Sequence, residues 1–297
     1  MKVAITGSTG LVGKKIVARL EGGGHQVVKL VRGTPKNQNE FSWDPSQGKL
    51  DAKAFEGVDA VIHLAGENIA SKRWSSEQKA KIKQSRVKGT ELIAQTLAGM
   101  DNPPRTFIST SAVGYYGSRG SEMLTEESTS GTGFLASVCR DWEDATKTAE
   151  YKGIRVVHAR LGVVLSKEGG ALKLMLPPFL MGGGGPLGNG QQYMSWIDLD
   201  DTAGAYVYML TADGISGAVN VVSPDPVTNA EFTKTLAGVI HRPAFFAVPE
   251  FAVKLMFGEM GEECLLGSNR VSANKLVTSG FKFGYPELET ALKHELN

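Results

Sequence analysis

The first thirteen residues constrain this chain most. MKVAITGSTGLVG runs from an apolar, β-branched stretch straight into a turn with glycines at positions 7, 10 and 13, and KKIVARL continues it. Val3–Thr6 predicts a buried strand and Gly13–Leu20 a helix. The three glycines have separate uses at such a junction. Gly7 permits the tight turn, Gly10 lets a pyrophosphate approach the backbone, and Gly13 lets the helix pack closely on the sheet. Backbone N–H groups at the helix start then face the phosphates. A glycine triplet alone also marks plain turns; its place between a first strand and a first helix makes it a dinucleotide loop.

The N-terminal half goes on alternating. Gln26–Val31, Asp59–Leu64, Arg105–Ser109 and Arg155–Ala159 read as strands without polar alternation, and Glu77–Ala98 and Leu135–Glu150 as helices. Such strands are buried on both faces, as in a parallel sheet covered by helices. The expected fold is therefore α/β, a doubly wound parallel sheet with its ligands at the carboxyl ends of the strands. Beyond about Gly170 the pattern gives way to Gly- and Pro-rich loops (LPPFLMGGGGPLGNG), with helices around Val253–Met256 and Glu287–His294. Residues 1–170 are expected to form the dinucleotide-binding domain. Residues 171–297 are expected to form a smaller, mixed substrate-side lobe, from which segments can return to the sheet.

The end of the second strand bears on which dinucleotide. An acid there would hold a ribose 2′-OH, whereas this chain reads LVRG, with Arg32 and no acid beside it. A guanidinium grips a 2′-phosphate bidentately, so NADP(H) is expected; the alternative is a solvated surface arginine. In DAVIHLAGEN, Leu64, Ala65 and Gly66 follow a strand end and allow close approach to the cofactor, while His63 reads as a packed strand residue. Arg86 reaches phosphate or substrate if its helix face turns to the strand ends, and otherwise makes a surface ion pair.

Charge and composition narrow the partners. Lys plus Arg number 32 and Asp plus Glu 31, a net charge of +1 that offers no footprint for nucleic acid or an anionic membrane. Cys139 and Cys264 are too few for a disulfide framework or a zinc ribbon. The opening strand leaves no room for a signal peptide, and no apolar run approaches membrane-spanning length, so a cytoplasmic protein is expected. Asp198, Asp200 and Asp201 read as caps of a following helix. With no His at helical spacing beside them, no metal site is expected.

Several segments together carry a resemblance: TGSTGLVG, HLAGENI, Lys72–Trp74, STSAVGYYG, Cys139–Glu143, ARLGVVL, GGPLGNGQQYMSWIDLDD and GFKFGYPELETAL. Across nearly its whole length the chain resembles the extended short-chain dehydrogenase/reductase superfamily, in the atypical branch called "epimerase family protein". The resemblance implies an NADP-binding Rossmann domain. It implies cofactor contacts at Gly7, Thr9, Gly10, Leu11, Val12, Gly13, Arg32, Leu64, Ala65, Gly66, Arg86 and Arg160, and a small-molecule substrate under the C-terminal lobe. The superfamily works with a Ser, a Tyr and a Lys four residues after the Tyr. Ser111 matches, but Phe134 stands for the Tyr and Val138 for the Lys. None of the seven tyrosines has a Lys four residues on; Tyr115 has Arg119 and Tyr151 has Arg155. Tyr115 and Tyr116, just past Ser111, are the substitutes for proton transfer, or else they wall the site. Two functions follow: an NADP(H)-dependent oxidoreductase or epimerase-like enzyme on a small polar substrate, or a non-catalytic NADP(H)-binding regulator. The chain is expected to be a monomer or a homodimer, the latter through Glu77–Ala98 and Leu135–Glu150.

Overall fold

The β-branched runs of the N-terminal half become β1 (Lys2–Thr6), β2 (Gln26–Val31), β3 (Glu40–Asp44), β4 (Lys49–Leu50), β5 (Ala60–His63) and β6 (Thr106–Ala112), in a computed structural model that describes residues 1–297. Between them lie helices α1 (Leu11–Gly22) and α2 (Ser76–Ala98). Next come β7 (Met123–Leu124), α3 (Phe134–Asp144), α4 (Lys147–Tyr151), β8 (Arg155–Leu161) and β9 (Val163–Leu165). The remainder runs α5 (Gly170–Leu180), β10 (Tyr193–Met194), β11 (Trp196–Asp198), α6 (Leu199–Thr211), β12 (Gly217–Val221), β13 (Val227–Thr228) and α7 (Asn229–Val239). The chain closes with α8 (Glu250–Phe257), β14 (Arg270–Val271), α9 (Asn274–Ser279) and α10 (Leu288–Leu296).

Eight strands form the main sheet in the order β12-β8-β6-β5-β1-β2-β3-β4. Every neighbouring pair is parallel except β3 with β4. From β1 the chain steps out to β2 and β3, then returns to β5 on the other side. The order thus reverses between β1 and β5, and this switch point opens the crevice where a doubly wound sheet holds its ligand.

The period of two along each strand sorts the core into two layers. Val3 and Ile5 of β1 pack with Ile16 and Leu20 of α1 and with Ala203, Tyr206 and Met209 of α6. Ala4 faces the other way, into a cluster with Ile93 and Leu97 of α2 and Ala149 of α4. The expected Leu135–Glu150 helix is broken into α3 and α4, with Thr146 Oγ1 bonded to the Glu143 carbonyl at 2.7 Å and to His158 Nε2 at 2.8 Å.

Beyond residue 170 the chain returns to the main sheet through α6 and β12. Around Leu172, Trp196, Phe232, Leu236, Leu288 and Leu292 lies a separate, smaller core. Gly185 packs tightly on the 245–247 backbone: a Cβ there would lie 1.9 Å from the Phe246 carbonyl oxygen. No helix is long and apolar enough to cross a membrane.

Candidate functional site

The glycine turn closes between β1 and α1. Gly7 has φ +70°, and a Cβ on it would lie 3.1 Å from the Ala65 nitrogen, so turn geometry and the end of β5 both require glycine. A Cβ on Gly13 would lie 2.1 Å from the Gly7 carbonyl oxygen, which fixes the close packing of helix on strand. On Gly10 a Cβ would meet only the Gly7 oxygen, at 3.3 Å. No side chain caps the α1 N-terminus, so the N–H groups of Leu11 and Val12 lack a side-chain acceptor. An open Gly10 flank against an uncapped helix start fits the diphosphate of a dinucleotide.

Thr6 pins the neighbouring strand end in place. Its Oγ1 accepts from the N–H groups of Leu64 at 3.1 Å and Ala65 at 3.2 Å, so it donates its own proton to His63 Nδ1 at 2.6 Å. His63 is fully buried, and burial pushes its imidazole down to about 3. It is a packed strand residue. Arg32 is exposed at the end of β2.

Arg86 is anchored on backbone carbonyls. Its Nη1 donates to the carbonyls of Glu67 at 3.0 Å and Ile82 at 3.1 Å, and its guanidinium lies over Trp142. A Cβ on Gly66 would sit 3.3 Å from the Arg86 Cζ, so this arginine supports the Gly66–Glu67 backbone from behind.

Strand register builds a polar row beyond the switch point. Ser111 of β6, Arg160 of β8 and Asn220 of β12 are register partners, so their side chains share one sheet face. Arg160 grips Glu143 of α3 bidentately, through Nε at 2.9 Å and Nη2 at 2.8 Å. Ser111 donates to the same carboxylate at 2.7 Å. Arg160 Nη1 donates to the Tyr116 hydroxyl at 3.0 Å, and that hydroxyl donates to Asn220 Oδ1 at 2.6 Å. Burial opposes the charge on Arg160, yet Glu143 holds its guanidinium above its ordinary pKa.

The network engages three of the residues expected at the site, Arg160, Tyr116 and Ser111. Arg160 is 4 % exposed, and its guanidinium donates to Glu143, to the Tyr116 hydroxyl and to the Glu126 carbonyl. Tyr116 is fully buried, burial pushes its phenol up to about 12, and its hydroxyl accepts from Arg160 and donates to Asn220. Ser111 is also buried, with its proton committed to Glu143. Tyr115 is half-buried, its ring 3.5 Å from the Arg160 Cζ. Of the three residues expected to do chemistry, it alone presents a partly open hydroxyl.

The α3 face toward Ser111 lies one residue from the expected register. Leu135 packs against Gly114, the Cys139 thiol sits beside Ser111 and the Ala112 backbone, and Glu143 accepts from Ser111. These residues are four apart and share a helix face. Phe134 turns aside onto Trp74 and beneath Lys79, and Val138 is buried. Neither register contains a Tyr–Lys pair. Across the mouth, Glu263 caps α3 by accepting from the N–H groups of Phe134 at 2.7 Å and Leu135 at 2.8 Å, and Glu259 pairs with Lys79 at 2.8 Å.

Residues 3–222 match the sequence model of the NAD dependent epimerase/dehydratase family. The chain belongs to this family. Residues 248–295, which include the segment carrying Glu259 and Glu263, match a Domain of unknown function (DUF1731). An "Epimerase family protein" of Mycobacterium tuberculosis is 43% identical over 98% of this chain and 96% of its own length. The human "Epimerase family protein SDR39U1" is 34% identical over 99% of each. A crystal structure of human SDR39U1 (isoform 2) with NADPH superposes with a TM-score of 0.88 at 31% identity, covering 99% of both chains. A UDP-glucuronic acid 4-epimerase from Bacillus cereus, at 15% identity and a TM-score of 0.78, shares the fold.

Glu143 and Asn220 lie outside the residues picked from sequence as the site. Glu143 stands in the Cys139–Glu143 motif, but its arginine partner lies on another element. Asn220 lies on a strand that only the fold brings beside β8.

Proposed function

We propose that this chain is an NADP(H)-dependent oxidoreductase or epimerase-like enzyme acting on a small polar substrate. The observation that carries the reading is the exposed Arg32 just past β2, the strand paired with β1, where an NAD-selective site would hold an acid. The NADPH bound in the human relative supports it. Bound nicotinamide supplies or takes up a hydride at C4. The chain's own part is to hold the diphosphate on the α1 N-terminus, to grip the 2′-phosphate through Arg32 and to move a proton. Tyr115 carries that proton, its ring held on the face of the Arg160 guanidinium. Ser111, Glu143 and Arg160 act as a positioning row behind it.

A second reading, a non-catalytic NADP(H)-binding regulator, is favoured by Leu135 and Cys139, which face Ser111 without acid–base chemistry of the Tyr–Lys kind. Titration with NADPH and NADH, for the wild type and Arg32→Glu, tests the cofactor; a clear NADPH preference that the variant abolishes is expected. Nicotinamide absorbance against a panel of carbonyls and alcohols then separates the readings. Turnover lowered about 10²- to 10⁴-fold by Tyr115→Phe supports the enzyme. Tight binding without turnover supports the regulator, and equal affinity for both nucleotides removes the role of Arg32.

A further inference from the structure

The acidic start of α6 meets the last turn of α10 beside α1. Asp198 caps α6, its Oδ1 accepting from the N–H groups of Asp200 at 2.6 Å and Asp201 at 3.3 Å. Asp198 is fully buried, yet its Oδ2 has no hydrogen-bond partner. Glu295 of α10 is 8 % exposed. One ligand atom each from Asp198, His294 and Glu295 lie within 4.8 Å of one another. Two carboxylates so close and so dry do not both stay ionised without positive charge between them. Two cations stand nearby, Lys15 of α1 on the Asp200 carboxylate at 2.8 Å and Arg19 on the Asp200 carbonyl at 3.3 Å, and neither is paired with Asp198 or Glu295.

The imidazole of this cluster is held in place. His294 stacks on Tyr285 with centroids 3.9 Å apart and planes 13° apart, and its Nε2 lies 2.9 Å from Asp200 Oδ2. Asp201 fixes the loop behind it by accepting from the N–H groups of Gly284 at 2.6 Å and Tyr285 at 2.8 Å. A carboxylate on one ring nitrogen of a metal-binding histidine sets the orientation of the ring and the nitrogen it offers.

We propose that Asp198, His294 and Glu295 form a divalent-cation site that ties the C-terminal helix to α6. Two carboxylates and one imidazole suit Zn²⁺ or Mn²⁺, with water completing the shell; Ca²⁺ asks for more oxygen ligands than the cluster offers. From sequence alone no site is expected at Asp198, because no histidine lies at helical spacing beside it; His294 comes from the end of the chain. None of the three ligands belongs to the glycine turn or to the Ser111 network, so the ion has a structural role.

The test uses the untagged full chain, stripped with chelator and titrated with MnCl₂ or ZnCl₂ by calorimetry, with Tm followed in parallel. One equivalent is expected to bind, with Tm rising as the logarithm of free ion above Kd. Both effects are expected to vanish in Asp198→Asn and Glu295→Gln; asparagine still caps a helix, so the first variant keeps its fold. Glu289→Gln, on the α10 side chain paired with Lys293, is expected to bind as the wild type does. Absence of binding by either ion, or binding that survives in both ligand variants, overturns the proposal. An Asp198→Asn chain more stable than the stripped wild type, with no ion bound by either, would assign the cluster to a shared proton instead.

Discussion

At the scale of single residues, the two halves of the site separate cleanly. A Cβ on Gly13 runs into the Gly7 carbonyl at 2.1 Å, whereas one on Gly10 meets the same oxygen only at 3.3 Å. Gly10→Ala is therefore expected to fold with a Tm close to the wild type and to bind NADPH at least about tenfold more weakly, a loss of roughly 1.4 kcal/mol. Gly13→Ala is expected to lower Tm as well. If Gly10→Ala binds normally, the diphosphate does not lie on this turn. The tyrosines divide in the same way. Tyr116→Phe leaves Arg160 Nη1 and Asn220 Oδ1 short of a buried partner, which costs about 1–3 kcal/mol in urea denaturation. Tyr115→Phe, whose hydroxyl is partly open, is expected to stay within about 0.5 kcal/mol of the wild type. Reversed stabilities would make Tyr115 the structural residue of the two.

Elements show how far sequence reaches. The glycine turn is legible because the strand, the three glycines and the helix that follows lie within one short stretch of chain, although the end of β5 at Leu64–Ala65 also presses on Gly7. The row of Ser111, Arg160 and Asn220 is not, since strand register across three elements makes it. α7 carries a start signal in the Thr228–Glu231 capping box, but the Gly- and Pro-rich loops before it leave that signal unread in the sequence. α5 is concealed by Pro177 and Pro178, which sit near its C-terminal end. His63 shows an element imposing its own chemistry. Held between β1 and α2, against Thr6, Trp43 and Gly89, it is neutral in the fold, while in the unfolded chain it takes up a proton below about pH 6.5. Its folded-state pKa is depressed to about 3. Stability is therefore lost as pH falls below 6.5, by up to about 1.4 kcal/mol per unit, until pH approaches the folded value. His63→Asn is expected to flatten urea-derived stability between pH 6.5 and 4.5 by about one proton relative to wild type. Parallel curves for the two proteins would mean that His63 is protonated inside the fold.

At the scale of the whole molecule, the chain is threaded rather than divided. Parallel strands need long crossovers, and here the last crossover leaves the sheet after β8, builds much of the smaller core and returns as α6 and β12. Ala203, Tyr206, Met209 and Leu210 of α6 and Val219 and Val221 of β12 share one core with Val3, Ile5 and Ile16. β12 pairs with β8 through five register partners, and Asn220 supplies an acceptor for the buried Tyr116. A fragment of residues 1–170 therefore bares the α1 face of the sheet, opens the edge of β8 and strands the Tyr116 hydroxyl. An open apolar edge of that kind pairs with other chains. The fragment is expected to aggregate, or to unfold without a cooperative transition, and to bind NADPH poorly although it holds every glycine of the turn. Residues 1–222, which keep α6 and β12, are expected to be the shortest N-terminal piece that retains nucleotide affinity, with Tm lowered by loss of the later segments. Circular dichroism melts and NADPH fluorescence on the two fragments decide the matter. A cooperative, NADPH-binding 1–170 fragment would mean that the dinucleotide half carries its own core, and that the returning strand covers it without completing it.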